Sequence, residues 1–113
     1  MSTVITNEQY VASIRKHIGE LVQAMLIGEI CFLEGARQLS SLRHEAAVSE
    51  NDPDFLVFVA VASETDNLPI GKSRIHWSPE ALAKHQPEID SATRWAREVS
   101  VNACSSLLVR FHA

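Results

Sequence analysis

Apolar residues along this chain recur mainly at intervals of three and four, the period that lines one face of an α-helix, and rarely at the alternating period of a strand. Val11, Ile14, Ile18, Leu21, Val22 and Met25 form the first such stripe. Thr6, with Gln9 three positions on, has the form of a capping box, so a first helix is expected from about Asn7 to Ile27. Gly28 marks a junction, and Glu29 to Ala47 continues with good helix formers and no proline, which predicts a second helix folded back on the first. On it Gly28, Cys31, Phe32, Gly35, Ala36, Leu39, Leu42 and Ala46 share one arc, opposite Glu34, Arg37, Gln38, Ser41, His44 and Glu45. Gly35 costs about 1 kcal/mol against alanine inside a helix, so a second backbone is expected to pack closely there.

Asp52-Pro53-Asp54 combines a capping side chain, a proline suited to the first helical turn and an acid on the positive helix end. The following Phe55 to Ala62 is apolar on every face and expected to be deeply buried. The cap favours a helix there and the β-branched content a strand; helix is the expectation adopted. A polar connector runs from Ser63 to Trp77, after which Ser78-Pro79-Glu80 repeats the helix-start pattern. A short helix over Ala81 to Lys84 is expected to stop before Pro87, where the last helix begins. Its stripe is Ile89, Ala92, Trp95, Ala96, Val99, Ala103, Leu107 and Phe111. The fold expected is all-α: one domain over residues 1–113, a small helical bundle built on a long antiparallel helical hairpin with a C-terminal helix packed against it.

Composition narrows the classes of function. A formal net charge of -4 with scattered lysines and arginines argues against nucleic-acid binding, which needs clustered cations, and suits a basic protein partner. The longest apolar run, Phe55 to Ala62, falls far short of the roughly 20 residues of a membrane span. Met-Ser-Thr-Val-Ile-Thr-Asn-Glu lacks the basic start and apolar run of a secretory signal, so a cytoplasmic location is expected. Cys31 and Cys104 both fall on apolar faces and are read as two buried thiols rather than a disulfide.

Several segments together carry a family likeness: Leu26-Ile27-Gly28-Glu29-Ile30, Leu33-Glu34-Gly35-Ala36-Arg37, Asp52-Pro53-Asp54-Phe55, Ser63-Glu64-Thr65-Asp66 with Leu68-Pro69, and Trp77-Ser78-Pro79-Glu80-Ala81-Leu82. Across nearly its whole length the chain resembles a bacterial domain-of-unknown-function family of short soluble proteins. The resemblance implies a bacterial cytoplasmic protein and brings no activity with it. Some proteins of this size and type neutralise a toxin, which makes an immunity role an analogy.

Chemically capable side chains concentrate in the connector: Glu64 and Asp66, then Arg74, His76 and Trp77. Arginine and tryptophan are typical interface anchors, and His76 is the best-placed proton carrier if the chain is an enzyme. Against this, Ser63, Asp66 and Asn67 suit a helix-ending turn, and Trp77 suits a cover for the core beside the Ser78 cap. Glu29, Arg37 and Arg43 form a further charged set with Glu34 on the second helix, where Glu34 and Arg37 have ion-pair spacing. His44-Glu45 begins a zinc-protease pattern, but Val48 stands where the second histidine belongs. His17, His76, His85 and His112 supply no metal spacing either, so neither metal nor cofactor is expected. No nucleophile elbow, phosphate loop, dinucleotide fingerprint or Cys-x-x-Cys pair occurs. A non-enzymatic binding or regulatory protein is therefore preferred, most concretely an immunity-like protein that neutralises a toxin by direct contact. The alternatives are a small hydrolase or metal-dependent enzyme using Glu64, Asp66 and His76, with Glu29 or His44, and a structural homodimer joined through the second helix.

Overall fold

Four helices and one short 3-10 turn account for most of the chain in a computed structural model that describes residues 7–111, the side chains of Lys72 and Ser73 excepted. They are α1 (Asn7–Leu26), α2 (Phe32–Leu42), α3 (Pro53–Glu64), the 3-10 turn Gly71–His76, and α4 (Pro79–Phe111). Thr6 of the anticipated capping box and His112 lie outside the described residues. The direction of each helix follows from the residues that meet. Tyr10 and Arg15 of α1 bond to Glu45, Ala46 and Ala47 beyond the end of α2. Arg15 also lies over the Phe111 ring at the end of α4. Asp54 at the start of α3 meets Ser106 and Arg110 near the end of α4. The helices thus run up, down, up, down, the topology that short connections favour.

The all-α expectation holds, as does the helical state of the apolar segment. Asp52 caps α3 by accepting from the Asp54 amide at 3.1 Å, and Pro53 opens the first turn where its missing N–H costs nothing. That local signal outweighs the β-branched content. The segment is not buried all round, however: Phe55, Phe58 and Val61 enter the core, while Leu56 and Ala60 face solvent.

The second helix is shorter at both ends than the expected Glu29 to Ala47. Gly28, at φ +86°, closes α1 in a Schellman arrangement: its amide donates to Met25 O at 3.2 Å and the Glu29 amide to Ala24 O at 2.8 Å. Glu29 is thereby spent on ending α1. At the other end Arg15 draws the Ala46 and Ala47 carbonyls outward, at 2.9 and 3.3 Å, and Ala47 takes a φ of 55°. The apolar arc of α2 does face inward, with Phe32, Gly35, Ala36, Leu39 and Ala46 buried, joined by Leu33. Its neighbours there are α1, α3 and α4 of the same chain.

Gly35 is needed for a side chain rather than for a second backbone. A Cβ at this position would lie 2.7 Å from Met25 Cγ and nearer still to its sulfur. Met25 is fully buried and fills the space that the glycine leaves.

Pro87 does not divide the last helix; α4 runs unbroken for 33 residues and sets the 52 Å long axis of the molecule. Ser78 caps it, accepting from the Ala81 amide at 3.1 Å. Pro87 and Ala83 are both exposed, so the carbonyl that loses its partner faces water. Two side-chain bonds bracket the proline: His85 to Glu88 at 3.0 Å and Gln86 to Asp90 at 2.8 Å. The buried line of α4 is Ile89, Ala96, Ser100, Ala103, Cys104 and Leu107. Trp95 and Val99, expected in the core, are 38% and 41% exposed.

Candidate functional site

The expected binding residues do not converge. Glu29 is exposed in the α1–α2 junction, and Arg74 and His76 are exposed on the 3-10 turn. Trp77 is half-buried and packs edge-on against His85, ring centroids 5.2 Å apart. Asp66 is exposed in the turn that follows α3.

Arg37 and Arg43 serve the fold. Arg37 Nη2 donates to the carbonyls of Thr65 and Leu68, the latter at 3.3 Å, and so fixes the turn after α3. Thr65, buried, closes the helix from inside by donating its hydroxyl to Val61 O at 2.7 Å. The turn expected at this point is therefore present, held by Thr65 and Arg37. Arg43 Nη1 reaches Glu50 O at 3.4 Å across the α2–α3 connection. Glu34 leans toward Gly71, its Oε1 3.3 Å from where a Cβ would stand. Gly71 has a φ of +58°, and no Glu34–Arg37 ion pair forms.

One candidate, Glu64, does enter a built site. An open groove of about 400 Å³ lies between the end of α3 and the first half of α4. Glu64, Thr65, Asn67 and Leu68 form one wall; Glu88, Ser91, Ala92 and Trp95 form the other. The second wall is a single strip of α4, because positions 88, 92, 95 and 99 recur at helical spacing. Val99 continues the apolar surface from Trp95 along that strip. The groove thus offers the carboxylates of Glu64 and of Glu88, which also bonds His85, with the Asn67 amide, the Ser91 hydroxyl and the Trp95 indole, a combination suited to a long cationic side chain.

Trp95, Glu88 and Asn67 had no place among the sequence candidates. The available signal was the line of small residues Ala96, Ser100 and Ala103, at spacings of four and three. A core line that narrow leaves Trp95 and Val99 on its flank.

One other cluster is structural. Arg110 joins Asp52 and Asp54 at 2.7 and 2.9 Å, with Ser106 donating to Asp54 at 2.6 Å. The Arg110 guanidinium holds the Asp52 carboxyl below the usual carboxylate range. Cys104 is buried, and burial pushes its thiol up to about 12. Cys31, expected to be buried, is exposed at the start of α2, its sulfur 3.9 Å from Thr93 Oγ1. Among the described residues no three His, Cys, Asp or Glu side chains are placed to share a metal ion, and no helix is long and apolar enough to cross a membrane.

No protein-family model, curated protein or solved structure matches the chain.

Proposed function

We propose that this chain is a non-enzymatic binding protein that docks a basic segment of a protein partner on the α3–α4 face, with one lysine or arginine side chain entering the groove. The observation that carries this is that exposed Trp95 lines one groove together with Glu64 and Glu88. A partner's aliphatic stem covers the indole while its charged head meets the carboxylates; a cation over an indole contributes about 0.5–2 kcal/mol. The chain's net charge of -4 favours encounter with a basic partner. An immunity-like role, in which the partner is a toxin covered by direct contact, is the most specific form of this proposal, motivated by size and charge.

Calorimetric titration with a short Arg/Lys-rich peptide and with its Glu-substituted counterpart tests the proposal. The basic peptide is expected to bind, to weaken as salt is raised, and to lose about tenfold or more in affinity on Trp95→Ala. Equal binding of both peptides, or no effect of Trp95→Ala, would sink it.

A further inference from the structure

We infer that the pocket between α1 and α2 is a binding site for a small oxyanion, a carboxylate or a phosphate. It is separate from the α3–α4 groove and has the opposite chemistry. His17 of α1 and Arg37, Gln38, Ser41 and Leu42 of α2 together line an open pocket of about 340 Å³. Every polar side chain in this lining can donate a hydrogen bond, and none is acidic.

Arg37 gives the pocket its sign. Its Nη2 is engaged only by main-chain carbonyls, of Thr65 and Leu68, and its Nε is buried with no acceptor. The ion pairs among the described residues join His85 to Glu88 and Arg110 to Asp52 and Asp54, so no carboxylate is in ion-pair contact with Arg37. A half-buried guanidinium without a counter-ion favours any anion that reaches it, because its charge is screened by less water than at an open surface. Arg37, Gln38 and Ser41 sit at spacings of one and three on one helix, and His17 joins the lining from another. That arrangement supplies donors from two directions to an acceptor-only ligand. Carboxylates and phosphates share that acceptor-only character, and arginine pairs with both.

The test is a two-dimensional NMR titration of the full chain with inorganic phosphate and, in parallel, with acetate, against chloride at matched ionic strength. Saturable shifts centred on His17, Gln38 and Ser41 are expected with at least one of the two. The arm that saturates at lower concentration identifies the preferred oxyanion. Because Arg37 also holds the turn after α3, the variants are His17→Ala and Ser41→Ala, both at exposed positions. Each is expected to weaken binding about tenfold, the loss of one hydrogen bond to a charged ligand. Glu98→Gln, exposed on α4 and outside both linings, is expected to leave it unchanged. Failure of both anions to saturate beyond the chloride control, or unaltered affinity in His17→Ala and Ser41→Ala, overturns the inference.

Discussion

Arg110 in the last turn of α4 grips Asp52, the N-cap of α3, through two bonds: Nη1 to Oδ1 at 3.0 Å and Nη2 to Oδ2 at 2.7 Å. The same Asp52 oxygen that meets Nη1 also accepts the Asp54 amide. One carboxylate thus starts a helix and ties it to the end of another. Asp52 is 8% exposed, so removing its partner leaves a poorly hydrated charge, while the more exposed arginine moderates the loss. Arg110→Ala is expected to lower stability by about 2 kcal/mol, read from urea unfolding. Asp52→Ala, which also removes the cap, is expected to cost about 1 kcal/mol more.

The same pair sets a pH dependence. Arg110 lowers the Asp52 pKa in the folded chain, so the folded state binds the proton less readily than the unfolded one. The contribution is fully present above the unfolded carboxylate value of about 3.9 and is lost as pH falls through the lowered folded value. The stability difference between the native chain and Asp52→Asn is expected to be flat from about pH 7 to 5 and to shrink below about pH 4. A difference that grew on acidification would contradict this assignment.

Gly35→Ala separates propensity from packing. Helix propensity alone favours alanine by about 1 kcal/mol. Met25 occupies the space the methyl group would need and is itself fully buried, so the substitution is expected to destabilise the chain by about 1–3 kcal/mol. Adding Met25→Ala to Gly35→Ala should cost less than Met25→Ala alone in the native chain, and a double-mutant cycle measures that coupling.

Ser100 is buried in α4 and its hydroxyl has no hydrogen-bond partner. Replacing it with alanine removes an unsatisfied group and improves helix propensity. Ser100→Ala is expected to be neutral or to raise stability by about 1 kcal/mol, visible as a higher Tm.

The helices were legible in the sequence because their signals are local. Spacing gave the α1 stripe, and Asp52-Pro53 and Ser78-Pro79 marked the starts of α3 and α4. What escaped depended on distant residues. Nothing near Ala47 shows that Arg15 will take its carbonyl, and nothing near Gly35 names Met25 as the neighbour it accommodates. Pro87 looked like a boundary because its cost is local, whereas the packing that carries α4 past it comes from α1 and α3. At the site, Glu64 stood out by its position on the connector. Trp95 did not, because an apolar residue at helical spacing reads as core until the narrow line of Ala96, Ser100 and Ala103 shows which side is buried. Arg37 and Arg43 drew attention as members of a charged set with Glu29 and Glu34, and both hold main-chain carbonyls instead of carboxylates.

The groove between α3 and α4 is tested most directly by following the Trp95 indole N–H and the Glu64 and Glu88 amides by NMR while a short Arg/Lys-rich peptide is added. Saturable shifts concentrated on these three residues and Val99, abolished by Trp95→Ala with Glu64→Gln, are the expected result. Shifts scattered over the acidic surface, or centred on Arg74, His76 and Trp77 while the groove stays silent, would contradict it.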